Sequence, residues 1–393
     1  MSTGYEFDRV LDRRGLSTAK WEGEIARTGR QDLLAFGTAD MDFKSAPEII
    51  RALQACAARG HFGYPFKGSS YYEAIVGFMA RRFDWRIDPA WIIGSTSIYS
   101  SLQPILEELT EPGDEIIIQT PVHFVFEELI CANGRVPIEN PLVSDGRAYR
   151  MDFDDLVRKI SPRTRAILLC NPHNPIGRLW TRDELLKLHE ISSDSRILVI
   201  SDEVYNGLIF PGEVFTPAAS VSSAASMNTI TLTSPSKSFN LSGLKHSVVI
   251  AENPRLRAAI EQGQKRSNVH FGGSIFGLAA AEAAYSSCDD WLKQLMLYVV
   301  RNVEHTKAAL NDIYPKAHAY QPQSAYFLWL DLSGYGLDSQ TWVRHLEQQA
   351  GITVAGGHVL GSGGQGHIRL NLGCPRQTLE SGLARLRSAG VPR

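Results

Sequence analysis

The chain has 393 residues, of which 44% are hydrophobic and 21% charged, and its formal net charge is −2. That length exceeds what one hydrophobic core usually organises, so two domains are expected, while the near-balanced charge excludes electrostatic attraction to nucleic acid or an anionic membrane as the basis of function. No apolar run reaches the length of a membrane span, the first residues lack a basic start and an apolar signal core, and the five cysteines are scattered without ligand-spaced histidines; a cytoplasmic protein with reduced thiols and no metal site is expected.

Residues up to about Lys44 read as a charged, irregular arm that closes with Ala39-Asp40-Met41-Asp42-Phe43. A helix follows, with Pro47 in its first turn, Ile49, Ile50, Leu53 and Cys56 at helical spacing, and Gly60 past its end. Ser70 and Glu73 read as a capping box that opens a second helix. Trp91-Ile92-Ile93 predicts a short buried strand that delivers Gly94-Ser95-Thr96-Ser97 to a helix carrying Ile98, Leu102 and Ile105. Pro104 inside that helix predicts a kink or a break. Strands are then expected over 115–118, 165–171, 196–201, 228–233 and 247–251, with helices near 124–132, 152–160 and 181–191, the last behind a capping box of Thr181 and Glu184. Strands too apolar to alternate, joined by helices, argue an α/β fold with a mostly parallel sheet covered on both faces.

A long helix over 291–313 is expected to lead into a smaller α+β unit with strands over 325–332, 352–355 and 367–372 and helices near 339–349 and 377–388. The expected division is an arm over 1–45 belonging to the small domain, a large domain over 46–288 and a small domain over 289–393. The run Gly361-Ser362-Gly363-Gly364-Gln365-Gly366 reads as a turn and not as a phosphate loop, because a strand follows it.

Three polar residues fall where strands read as buried end: Asn174 in Asn171-Pro172-His173-Asn174-Pro175-Ile176-Gly177, Asp202 in Ser201-Asp202-Glu203-Val204-Tyr205, and Lys237 in Thr233-Ser234-Pro235-Ser236-Lys237, the last after an alternating strand over 228–233. Ligands of open α/β sheets gather beyond the strands' carboxyl ends. An amide, a carboxylate and a lysine at that edge are what pyridoxal phosphate requires: an amine for its aldehyde, a counterion for its ring nitrogen and a partner for its ring oxygen. Singly, each residue has a plainer reading, with Lys237 as a loop lysine, Asp202 as a cap, Asn174 as a turn initiator and Tyr205 as core. Jointly they favour the site, since Asp202 follows Ile197-Leu198-Val199-Ile200 and a carboxylate buried there needs a cationic partner. Hydroxyls and amides at Ser95 and Thr96, with Ser234 and Ser236, suit the phosphate.

The order of these elements resembles the fold-type I pyridoxal-phosphate enzymes of the aspartate aminotransferase superfamily. Ala39-Asp40-Met41-Asp42-Phe43, Phe62-Gly63-Tyr64, the stretch from Asn171 to Trp180, the stretch from Ser234 to Asn240, and Arg369-Leu370-Asn371-Leu372-Gly373 resemble its MalY/PatB branch of cystathionine β-lyase-like C–S lyases. The resemblance runs from about Phe7 to the C-terminal helix. It implies that Lys237 forms the imine with pyridoxal phosphate and later acts as a base. It implies further that Tyr205 joins Asn174 at the ring oxygen, that Lys245 stands where many relatives place a phosphate-binding arginine, and that Tyr64 reaches the phosphate of the other subunit in a homodimer with composite sites. His123 would lie against the pyridine ring, with an acid or base role near the leaving group as the second reading. Arg369, with Asn174 nearby, would grip the substrate α-carboxylate through two parallel bonds.

The implied reaction is β-elimination of an L-cysteine S-conjugate to a thiol, pyruvate and ammonia. Tyr205 stands where the branch usually carries His and transaminases carry Tyr, so an aminotransferase remains a rival reading. A decarboxylating deaminase that yields an aldehyde and a catalytically silent regulatory protein are the others. Gly37 replaces a bulky tryptophan of relatives. Either Phe36 fills that volume, or an indole-sized space opens beside the substrate for a bulky polar S-substituent, as in lincosamide-type natural-product assembly.

Overall fold

Alternate residues of the same strands feed two different cores, and this sets the architecture. The computed structural model describes residues 4–392. Seven strands form its large sheet: β1 (Ile92–Ser95), β2 (Glu115–Ile118), β3 (Val136–Glu139), β4 (Thr164–Cys170), β5 (Leu198–Asp202), β6 (Thr229–Thr233) and β7 (Ser247–Ile250). Ile116, Ile118, Leu168 and Ile200 join one buried cluster, whereas Ile117, Ile167, Leu169 and Val199 join another. Side chains that alternate across a pleat are thus apolar on both faces, and the strands are buried from both sides.

The spatial order is β1-β7-β6-β5-β4-β2-β3. β7 runs antiparallel to β1 and β6, and every other neighbouring pair is parallel. Cys170 pairs with Asp202, and Asp202 with Leu232, so β4, β5 and β6 end in register. Asp202 at the end of β5, and Asn174 and Lys237 just past the ends of β4 and β6, therefore come to one edge of three adjacent strands.

Several local expectations are met. Pro47 opens the helix Pro47–Ala58, and Thr181 with Glu184 forms a reciprocal capping box on Arg182–Asp194. Others need correction. The helix Ser69–Phe83 is entered from Gly68 with no side-chain cap, so Ser70 lies inside its first turn. Pro104 does not break helix α1 (Ile98–Leu109). Its ring packs against α2 (Pro254–Arg266), where a Cβ on Gly263 would lie 2.7 Å from Pro104 Cβ, so the bare glycine makes room for the ring. Strand β3 was not expected, because it is an edge strand with Pro137 inside it and is only half-buried.

The C-terminal unit holds β8 (His318–Ala319), β9 (Phe327–Asp331), β10 (Ala355–Gly356) and β11 (His367–Asn371), antiparallel in the order β8-β9-β11-β10. The strand expected over 352–355 is two pieces: Ile352–Thr353 leaves this sheet and pairs in parallel with Leu34–Ala35 of the arm. The arm is also less irregular than expected, with a wide helical turn over Ala19–Gly23 that continues into a helix over Glu24–Thr28. No helix among the described residues is long and apolar enough to cross a membrane.

Candidate active site

Lys237, Asp202, Asn174 and Tyr205 line one cavity beyond the carboxyl ends of β4, β5 and β6. Lys237 Nζ donates to the Ala39 carbonyl at 2.8 Å. Burial brings its pKa down to about 8, opposed by Asp40 and helped by the Arg369 charge, so the neutral amine is accessible near neutral pH. Asp202 is buried, and its Oδ1 accepts from the Val204 amide at 3.1 Å. Burial nonetheless pushes its pKa up to about 7, against the pull of that amide and of the Lys237 charge. A carboxylate in this position lacks a close cation.

Arg369 comes from β11, an alternating strand in which an isolated arginine would ordinarily face solvent. Here the arm covers it, and it is 6% exposed. Its Nη2 donates to the Gly37 carbonyl at 2.8 Å and its Nη1 to Asn174 Oδ1 at 2.7 Å, while its plane lies over Phe327, 4.2 Å from the ring centroid. Its Nε is buried without a partner. The bond to Oδ1 orients the Asn174 amide and leaves Nδ2 buried and unpaired. The Tyr205 hydroxyl is likewise buried and unpaired, and burial holds its pKa well above the usual value, so it keeps its proton to donate.

Unpaired polar atoms gathered around one cavity are unlike a finished core. Pyridoxal phosphate matches what is left over. Asn174 Nδ2 and Tyr205 Oη are two donors for a phenolic ring oxygen, Asp202 is an acceptor for a ring N–H, and Lys237 is the amine for an aldehyde.

Thr96, Ser236 and Lys245 line the same cavity. Ser95 does not: β1 continues through it in register with Ser247, its side chain is buried in the sheet, and it lies outside the cavity. Helix α1 starts at Ile98 as expected, with Ser97 and Ser100 capping each other, while the strand before it runs two residues further than expected. The first-turn amides of Ile98 and Tyr99 have no acceptor within the helix and suit an anion. Ser234 reaches the cavity, but its hydroxyl donates to the His246 carbonyl at 2.6 Å and accepts from the Ser236 amide at 3.1 Å, so it acts as a cap.

The segment closing the arm straps these parts together. Besides Gly37 and Ala39, the carbonyls of Thr38 and Asp40 accept from Asn371 Nδ2 at 2.6 and 2.7 Å, and those of Met41 and Phe43 accept from Asn240 Nδ2 at 3.1 and 2.9 Å. Asp42 anchors the strap from behind, paired with Lys20 at 2.7 Å and Arg13 at 2.9 Å and bonded to the Trp21 indole at 3.0 Å. A carboxylate buried with two cations is compensated, in contrast to Asp202.

Gly37 itself corrects an expectation. A Cβ there would lie 3.1 Å from the Val354 carbonyl carbon, so backbone and not open space lies on that side of Gly37, whose carbonyl bonds Arg369. Phe36 does not take up the volume of an indole there; it is buried against Gly382, where a Cβ would lie 2.8 Å from its ring. Tyr64 is 85% exposed and stacks on Phe271 at 5.0 Å, away from the cavity of its own chain.

His123 lines the cavity as expected, beside Tyr99, which sequence reasoning passed over. Its signal was an aromatic among the serines of the first turn of α1, off the apolar stripe of Ile98, Leu102 and Ile105. Cys170 and His246 also reach the cavity wall unannounced.

Residues 31–386 match the family described as aminotransferase class I and II. The chain belongs to this family, whose members are pyridoxal-phosphate-dependent enzymes of fold type I. It is similar to the cystathionine β-lyase PatB of Bacillus subtilis, with 35% identity over 384 residues covering 98% of this chain and 99% of that protein. Among solved structures it is similar to cystalysin from Treponema denticola, which contains pyridoxal 5′-phosphate, with 30% identity, a TM-score of 0.95 and 98% of each chain covered. It is also similar to the pyridoxal-phosphate-bound C–S lyase from Staphylococcus hominis, with 28% identity, a TM-score of 0.92 and 99% of each chain covered.

Proposed function

We propose that the protein is a pyridoxal-phosphate-dependent C–S β-lyase that converts an L-cysteine S-conjugate and water into a thiol, pyruvate and ammonia. The observation that carries the reading is Arg369: a buried guanidinium with no carboxylate partner and a free Nε, joined to the Asn174 side chain that lines the cavity with Lys237. An α-carboxylate is the anion such a fork fits. The relatives named as cystathionine β-lyase and C–S lyase support the same chemistry.

When bound, the cofactor supplies a carbonyl that captures the substrate amine and a ring that takes up the electrons of the broken Cα–H bond. The residues of the chain do the rest. Arg369 seats the carboxylate and thereby fixes the rotation about Cα. Lys237, whose amine is partly neutral near pH 7–8 given its pKa of about 8, takes the Cα proton. Asp202 holds a proton at the ring nitrogen, which a buried carboxylate without another cation is suited to do. Asn174 and Tyr205 donate to the ring oxygen, and Thr96, Ser236, Lys245 and the first-turn amides of α1 hold the phosphate.

The active unit is a homodimer in which Tyr64 reaches the other subunit's phosphate. Exposed rings at Phe62, Tyr64, Phe66 and Phe271, which are 59%, 85%, 88% and 43% accessible, support a partner on that face.

The test is mass spectrometry of the products from a panel of S-substituted L-cysteines. Thiol plus pyruvate is expected; a 2-oxo acid that retains the sulfur would make the protein an aminotransferase, and an aldehyde would make it a decarboxylating deaminase.

A further inference from the structure

One hydroxyl at the cavity wall has its direction set by its neighbours. The Val125 amide donates to His123 Nδ1 at 3.2 Å, so that nitrogen presents a lone pair. Burial, reinforced by the Arg369 and Lys237 charges, brings the His123 pKa down to about 3, so the ring is neutral and its single proton sits on Nε2. Nε2 stands 3.3 Å from Tyr99 Oη and donates to it. A phenol that accepts from an imidazole N–H sends its own O–H elsewhere. Tyr99 lines the same cavity as Lys237, Asn174 and Asp202.

Resting on the lyase reading, we propose that Tyr99 is a further substrate-contacting residue whose hydroxyl donates to the sulfur as it leaves as a thiolate, and that His123 is the positioning residue that aims it. The other polar parts of the substrate and cofactor have partners of matching chemistry. The carboxylate has Arg369, the ring oxygen Asn174 and Tyr205, the ring nitrogen Asp202, and the phosphate Lys245 with the start of α1. The sulfur has none of these.

The proton stays on oxygen. An ordinary tyrosine titrates near ~10 and an alkyl thiol near ~8.5, and burial raises Tyr99 further, so transfer to the thiolate runs uphill. As the Cβ–S bond breaks, its electron pair goes to sulfur. Tyr99 stabilises that growing charge as an oxyanion-hole donor would, and the released thiolate takes its proton from solvent.

The test uses the holoenzyme and Tyr99→Phe, which keeps the ring; cofactor content and melting temperature report on its fold. First, 15N spectra of histidine-labelled holoenzyme, with His123→Gln to identify the signal, should show a neutral His123 with its proton on Nε2 between about pH 6 and about pH 9. A proton on Nδ1, or an imidazolium, overturns the proposal. Second, kcat/KM is measured for S-aryl and S-alkyl cysteines whose leaving thiols span a range of acidity. The loss in Tyr99→Phe should grow with the basicity of the thiolate, reaching about tenfold or more for alkyl thiolates and disappearing for the most acidic aryl thiols. An equal loss across the series, or none, overturns the proposal while leaving the lyase reading intact. If the wild type releases no thiol from any conjugate, the lyase reading falls and takes this one with it.

Discussion

Arg369 Nη1 donates to Asn174 Oδ1 at 2.7 Å, and this bond joins the candidate carboxylate seat to the candidate ring-oxygen donor. The two residues are 195 positions apart in the chain. Substrate and cofactor binding should therefore not be separable at this position.

Arg369→Lys keeps the charge but loses the planar fork and the bond that orients the Asn174 amide. KM for the conjugate should rise at least ~10-fold, and the affinity of the apoprotein for pyridoxal phosphate should fall as well, as measured by fluorescence titration. An unchanged cofactor Kd beside a raised KM would show that Asn174 is oriented independently.

Asp202 gives a pH signature. Its pKa in the folded apoprotein is about 7, against an ordinary aspartate value of 3.8, so the folded state holds this proton more tightly than the unfolded chain. The stability it confers is present in full below pH ~4 and is lost as pH rises through ~7. Asp202→Asn, which cannot ionise, should melt above the wild-type apoprotein at pH ~8 and close to it at pH ~4. In the holoprotein a cationic ring offsets the carboxylate, the advantage should vanish, and turnover should fall by ~100-fold or more. Parallel melting curves across that range would remove Asp202 as a buried acid without a cation.

Gly37→Ala places a methyl group 3.1 Å from the Val354 carbonyl carbon. Overpacking of this kind costs about 1–3 kcal/mol, and relief of the contact would move the Gly37 carbonyl away from Arg369. KM should rise by a similar factor for small and large S-substituents. A loss confined to large conjugates would restore the idea of a pocket at this position.

Composite sites can be tested by mixing. Tyr64→Ala and Lys237→Ala subunits, each inactive alone, should regain activity together, because one hybrid site carries both wild-type residues. Full activity from a species that light scattering shows to be a monomer would end the shared-site proposal.

Lys237, Asp202 and Asn174 were legible because each stands at or just past the end of a fully buried strand, where the position of a charged or amide side chain is itself the signal. The edge strand β3 gave no such contrast, since Pro137 and partial solvent exposure mimic a loop. Ser95 was misplaced by two residues, because neither hydroxyls nor glycine mark where a strand yields to a helix; that boundary is drawn by the mutual capping of Ser97 and Ser100. The burial of Arg369 depends on Gly37, 332 positions away in the chain, and no local pattern in β11 reports that cover. The direction of Tyr99 depends on a ring 24 residues away, and so do its prospects as a donor.

The pairing of Leu34–Ala35 with Ile352–Thr353 has a consequence for how the molecule is made. Synthesis runs from the arm to the C-terminus, and domains tend to fold as they emerge. The strands of the large sheet, from Ile92 to Ile250, are complete long before Ile352 leaves the ribosome. Until then Leu34 has no strand to join, the Gly37 carbonyl has no guanidinium, and the carbonyls of Thr38 and Asp40 have no Asn371. The nascent chain can thus present Lys237, Asp202 and Asn174 with the strap held only from one side, by Lys237 on the Ala39 carbonyl and by Asn240 on those of Met41 and Phe43. The seating of the arm is completed only when Arg369 and Asn371 arrive, and a stalled ribosome would hold a lysine with no carboxylate seat beside it.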